Sequence, residues 1–374
     1  MAEGVAIQKG LKDVVFTTTS ISEIDGEQGR LTYRGREIGS IVENHTFEDV
    51  LHLLLIGDFP KAESDDEAQS SAHRRLDEIL AGARDVPDHV KELVRLLPAD
   101  VDPMSALRTS VSALGDARFT WPPTLDQAAE IIAKVPTLVA LHHRIKAGLD
   151  PIDPDPALNL SANYLYMLAG ERPTSTKVKA LDAYLTLTAE HGMNASTFAA
   201  RVTASTQSDL ISAITTAIGT LKGPLHGGAP SEVSNMLSEI GTKERAESYL
   251  RGILERGERI MGFGHRVYRT KDPRAIALAG VARKLAGSEP WFDLALYVED
   301  VATRLLEEYK PGRRLRTNVE FFAAAVLNAI ELSPELFTPT FAVARTGGWM
   351  AHLLEQAADN QIIRPRAHYR PSIG

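Results

Sequence analysis

The chain has 374 residues, 44% of them hydrophobic and 24% charged, an ordinary globular composition with length enough for two domains or one large one. Its net charge of −8 argues against a general nucleic-acid or membrane-surface role, and the absence of cysteine excludes disulfides, thiolate catalysis and Cys-ligated zinc or iron–sulfur sites. The start lacks a basic segment followed by an apolar run, and no stretch approaches the roughly 18–20 apolar residues of a bilayer span. The expectation is a soluble, cytoplasmic protein.

Residues 21–35 carry turn chemistry at Asp25, Gly26 and Gly29 between short alternating runs, which predicts a small β-hairpin. Thr46 caps a helix with Glu48 and Asp49 in its first turn and an apolar body over Val50–Ile56; Gly57 and Pro60 stop it. His52 lies inside that run and reads as a packed histidine rather than a ligand. Residues 61–80 read as a solvated helix face, and Pro87 opens another helix. Residues 125–147 form a helix expected to kink or break at Pro136. Its neighbours His142 and His143 point to different parts of the helix surface and do not make a chelating pair. After a loop with Pro151, Pro154 and Pro156 come helices over 159–169 and beyond the cap at 172–175. A long helix is expected over 198–221, its small residues suited to close helix–helix or subunit contact. Further helices run to Ile240, near 246–256, near 274–285, and over 292–309, 319–332 and 341–358. A basic, Pro-broken tail follows. Strand signal beyond the first 35 residues is thin, so the fold class is all-α.

The stretch Met261–Arg274 stands out. From Arg256 to Arg274 there are six Lys or Arg residues and two acidic ones in an otherwise acidic chain. Gly262 and Gly264 allow a tight turn or close approach of a ligand, His265 can carry a proton near neutrality, and Arg266, Arg269 and Arg274 can fork onto carboxylate or phosphate oxygens. The stretch is either an anion-holding loop with a proton donor or a solvated basic loop. Three histidines, His191, His226 and His265, sit at glycine- or turn-rich positions. His226 precedes a helix start, where the dipole disfavours extra positive charge and keeps the imidazole neutral. Glu320 opens a helix after the second basic loop, 311–318. It is either a helix N-terminal charge or a general base.

Taken together, residues 29–35, 190–197, 223–228, 262–265 with 272–274, 318–320, 344–349 and 364–366 resemble the citrate synthase family, in this order and over nearly the whole chain. The resemblance implies a citrate synthase-like, nearly all-helical two-domain fold: residues 1–225 with 332–374 as a large dimerisation domain, and 226–331 as a small domain carrying CoA-binding loops. It implies condensation of acetyl-CoA with oxaloacetate, then hydrolysis of citryl-CoA, with no cofactor, no metal, and a homodimer as the expected assembly in a family that is dimeric or hexameric. In that reading His226 hydrogen-bonds the thioester carbonyl as it becomes an enol, His265 polarises the ketone, and Glu320 is the base. His191, Arg274 and Arg345 bind oxaloacetate, and Arg364 reaches in from the partner subunit. Arg269, Gly262, Phe263 and Gly264, with Arg313, Arg314 or Arg316, meet CoA.

One departure from the family pattern is Glu320, where aspartate is usual; the carboxylate is kept on a side chain one methylene longer. Three other readings remain open on residues alone. A 2-methylcitrate synthase would use propionyl-CoA in the same chemistry. A metal hydrolase would need ligand spacing such as His-Glu-x-x-His, which is missing. A non-catalytic CoA- or anion-binding protein would retain the fold.

Overall fold

The computed structural model describes residues 7–11, 14–60, 66–227, 229–264, 268, 270–285, 290–313 and 315–369. Three short antiparallel strands, β1 (Ser22–Asp25), β2 (Arg30–Tyr33) and β3 (Arg36–Glu37), pair in that order, with Ser22 opposite Tyr33 and Thr32 opposite Glu37. The expected hairpin is therefore present with one extra two-residue strand. Its turn is closed by Asp25, whose Oδ1 accepts the backbone N–H groups of Glu27 (3.0 Å) and Gln28 (2.9 Å).

Helices make up the rest of the architecture. The first eight are α1 (Ile38–Asn44), α2 (Phe47–Ile56), α3 (Glu67–Gly82), α4 (Asp88–Leu96), α5 (Pro103–Ser112), α6 (Leu125–Lys146), α7 (Leu160–Ala169) and α8 (Ser175–Thr188). Then follow α9 (Ala195–Ser205), α10 (Leu210–Leu221), α11 (Ala229–Ile240), α12 (Lys243–Glu255), α13 (Pro273–Leu285), α14 (Pro290–Tyr309), α15 (Val319–Ala329) and α16 (Phe337–Ala358). Among the described residues none is long and apolar enough to cross a membrane. The starts follow local chemistry: Thr46 and Asp49 form a reciprocal capping box, and Asn159, Thr174, Asn194 and Asp209 each accept a first-turn N–H.

Two expectations change. The long helix over 198–221 is two helices, α9 and α10. Gln207 takes a left-handed φ of 66°, and Asp209 caps α10 anew by accepting from Ser212 N. The break expected at Pro136 is absent: α6 runs unbroken through it, and that segment is buried and packed by α3, α5, α7 and α16.

Helix α16 packs against α2, α6, α8, α9 and α10 and is the central post of the molecule. Close approach to the end of α8 depends on Gly348. A Cβ there would lie 2.3 Å from the Ala189 carbonyl oxygen and 2.6 Å from Glu190 Oε2. That contact sets the segment after α8, which carries His191, directly on α16, which carries Arg345.

Candidate active site

The two basic loops are joined backbone to backbone. Gly264 N–H donates to Arg316 O (2.8 Å), Asn318 N–H to Gly262 O (3.0 Å), and the Asn318 side-chain amide to Gly264 O (3.0 Å). Gly262 has φ 81°, and a Cβ on it would meet Phe321 Cβ at 2.8 Å. The glycine therefore lets this loop lie on α15. Asn318 is the N-cap of α15, so the ladder fixes Glu320 in the first turn of that helix.

Asp272 ties a second helix start to the same place. It accepts Arg274 Nε (3.1 Å) and Nη2 (2.8 Å) as a fork and also takes Val319 N–H (3.3 Å). Arg274 is buried. Burial is the largest influence and works against its charge, but Asp272 more than offsets it, so the guanidinium stays cationic. Glu320 Oε2 is buried and has no hydrogen-bond partner among the described residues. Burial pushes the Glu320 carboxyl above the ordinary range, opposed by Arg274 and assisted by Asp272.

Arg345 is the common neighbour. It is 1% exposed, donates from Nε to the Thr188 carbonyl (2.9 Å) and lies over the Phe341 ring, 4.7 Å from its centre. Among the described residues no carboxylate comes within ion-pair distance, and burial pulls its pKa down. Its charge nevertheless acts on His226, Glu190, Arg274 and Glu320. Residues from the segment after α8 through α16 thus share one electrostatic neighbourhood round a buried cation that forms no ion pair among the described residues.

His226 lies within the tight turn Gly223–Gly227, its N–H donating to Gly223 O (2.9 Å), and points its Nε2 at the start of α9. The Ser196 N–H donates to Nε2 (3.3 Å), and Ser196 Oγ lies 2.8 Å from it. A backbone N–H can only donate, so Nε2 is an acceptor and the ring proton sits on Nδ1. Trp349 Nε1 from α16 holds Ser196 Oγ in turn (3.1 Å). Burial, then the charge of Arg345, lowers the His226 pKa to about 4. The helix end that meets this ring is that of α9, with Ser196 thirty residues upstream of His226.

His191 is half-buried, its Nε2 3.1 Å from the Tyr268 hydroxyl. His265, Arg266, Arg269 and Arg314 lie outside the described residues. A cavity of about 300 Å³ is lined by Phe263, Gly264 and Arg313 together with Arg259, Ile260, Leu306, Lys310 and Leu315. Arg259 and Lys310 were missed as site residues; their signal was membership of the two basic runs. Gly262 packs inward instead, and Arg316 contributes its carbonyl to the ladder. Arg364 is exposed beyond α16 and makes no ion pair among the described residues. Among the described residues no group of three His, Asp or Glu side chains could hold a metal ion.

Comparison with known proteins places this arrangement. Residues 10–366 match the family model described as "Citrate synthase, C-terminal domain". A "Citrate synthase 2" of Bacillus subtilis is 42% identical, over 96% of this chain and 95% of its own. A 2-methylcitrate synthase of Shewanella oneidensis is 37% identical, over 96% and 94%. Among solved structures, citrate synthase from Thermoplasma acidophilum, in a ternary complex with carboxymethyl coenzyme A and oxaloacetate, superposes with a TM-score of 0.88 at 30% identity, covering 99% of this chain and 97% of that one. Sequence match and fold agree along nearly the full length, and this chain belongs to the citrate synthase family.

Proposed function

We propose that the protein condenses acetyl-CoA with oxaloacetate and hydrolyses the citryl thioester to citrate and free CoA. The observation that carries this reading is His226: its Nε2 is capped by a helix N–H, so its Nδ1–H is the donor available to a substrate carbonyl. Glu320 removes a proton from the acetyl methyl group. A base whose pKa lies above the usual carboxylate range is better matched to a weak carbon acid. The His226 Nδ1–H hydrogen-bonds the thioester oxygen as negative charge gathers there. The enol carbon then attacks the oxaloacetate ketone carbon, whose oxygen takes up a proton; the resemblance assigns that donor to His265. Water next attacks the thioester carbonyl, and CoA leaves as its thiol.

Oxaloacetate is a dianion. Arg345 supports one carboxylate because it is a buried cation with no ion pair among the described residues, and Arg274, held flat by Asp272, supports the other. The cavity beside Phe263 suits the nucleotide end of CoA, with Arg259, Lys310 and Arg313 as phosphate partners and no nucleic acid involved. Residues 226–331 act as a small domain closing on the large one, 1–225 with 332–374. Arg364 completes the site of a second copy in a homodimer. No metal or other cofactor enters the chemistry, so activity survives chelation.

The deciding assay is release of free thiol from acetyl-CoA in the presence of oxaloacetate. E320Q is expected to remove that activity while calorimetry still shows oxaloacetate binding; full turnover by E320Q would reject Glu320 as base. The 2-methylcitrate synthase among the relatives makes propionyl-CoA the second acyl donor to compare. One methylene is worth about 1–3 kcal/mol of selectivity, so the kcat/KM ratio of the two thioesters decides between them.

A further inference from the structure

We propose that Arg201, His352 and Glu190 form a buried relay that aims His191 at its substrate, with His352 as the positioning residue. This rests on the reading of His191 as an oxaloacetate-binding residue.

The relay runs from α9 through α16 to the segment after α8. The Arg201 Nη1 donates to His352 Nδ1 at 3.0 Å and to Glu355 Oε2 at 2.7 Å, while Nε donates to Gln356 Oε1 at 3.0 Å. A guanidinium has no acceptor, so His352 Nδ1 must accept, and the imidazole proton sits on Nε2. That nitrogen faces Glu190 Oε1 at 3.1 Å and donates to it. The same oxygen accepts Ser22 Oγ (2.9 Å) and the backbone N–H of Gly192. Glu190 thus reaches past His191 to clasp the next residue. From the other side, the Tyr33 hydroxyl donates to Glu190 O (2.9 Å) and accepts from Glu190 N (3.2 Å). The backbone before His191 is therefore held by Tyr33, and the backbone after it by Glu190, whose carboxylate is itself held by Ser22 and His352.

Packing alone does not account for this choice of residues. Glu190 and His352 are 0% exposed and Arg201 is 2% exposed. Apolar residues of similar volume fill such a joint without the desolvation that buried charges suffer. Hydrogen bonds with one allowed direction instead give the joint a single geometry. A displacement of roughly 1 Å at a substrate-positioning group can cost about a hundredfold in rate.

The test compares H352A, H352Q and S22A as full-length proteins. Calorimetry reads the Kd for oxaloacetate without CoA, and steady-state assays read both KM values and kcat. Gln at 352 can still accept from Arg201 and donate to Glu190. We expect H352A to weaken oxaloacetate binding about tenfold or more, with the acetyl-CoA KM within about twofold of wild type. H352Q should recover most of that loss, and S22A, which removes one of the donors to Glu190, should weaken oxaloacetate binding about two- to threefold. Unchanged oxaloacetate binding in a folded H352A, or no recovery in H352Q, overturns the relay. If H352A does not fold, unchanged binding in S22A overturns it instead. Wild-type protein that binds oxaloacetate but releases no thiol overturns the proposed reaction and leaves the relay standing.

Discussion

At His226, hydrogen-bond direction settles which ring nitrogen carries the proton. The Ser196 N–H fixes Nε2 as acceptor, whereas Ser196 Oγ, 2.8 Å away, donates its own hydrogen to Asn194 Oδ1 (2.8 Å) and does not decide the tautomer. The two contributions separate by mutation. H226Q loses the aimed donor and should drop kcat by about 10²–10³-fold, the usual loss for one oxyanion-type donor. S196A keeps the backbone N–H and should stay within about tenfold of wild type. An S196A rate as low as that of H226Q would show that the hydroxyl, not the helix end, sets the tautomer. The histidine itself was legible in the sequence from its glycine-rich surroundings. Its partner was not, because Ser196 lies thirty residues upstream and meets it through the packing of α9 on α10, the helix that leads to His226. The link from Arg201 to His352 was equally hidden, since neither residue carries a local signal and the pair spans 151 positions.

Among the elements, those with their own capping chemistry were the most readable. Thr46, Asn159 and Thr174 announce α2, α7 and α8 before any tertiary contact exists. The break between α9 and α10 was not read, because only four polar residues, Thr206 to Asp209, separate two runs of small and apolar residues, and the Asp209 cap sits unannounced by Gly or Pro. The ladder between the two basic loops could not be read either: both loops were visible, but their pairing is a long-range event. That ladder makes a sharp prediction at Gly262. G262A introduces a Cβ at positive φ and 2.8 Å from Phe321 Cβ, so the loop must move off α15. We expect a stability loss of about 2–3 kcal/mol, within the range for a strained backbone position, together with lost turnover. A variant with unchanged melting temperature and kcat would show the close approach to be dispensable.

The whole molecule carries a pH dependence that does not come from the site. Asp182 in α8 accepts Ser161 Oγ of α7 (2.7 Å) and the Phe47 N–H that opens α2 (3.0 Å), so three helices meet on one carboxylate. Burial, partly opposed by those two hydrogen bonds, raises its pKa from 3.8 to about 6. A carboxyl raised on folding contributes stability that is fully present below its unfolded pKa and is lost as pH climbs through the folded value. The window is therefore from about 4 to about 6, and the shift corresponds to about 2–3 kcal/mol. Melting curves of wild type and D182N should diverge across that window, with wild type losing ground as pH rises; parallel curves would reject the assignment.

The strap joining residues 262–264 to 316–318 has one more consequence. It makes one wall of the cavity beside Phe263 and the leading turn of α15 a single mechanical piece, with Glu320 two residues past the last rung. In the proposed reaction, a CoA handle pressing on that wall at Phe263 pushes on the carboxylate assigned as base at the same time. Grip on the distant end of the thioester and placement of the carboxylate at its reactive end cannot be tuned independently in this fold.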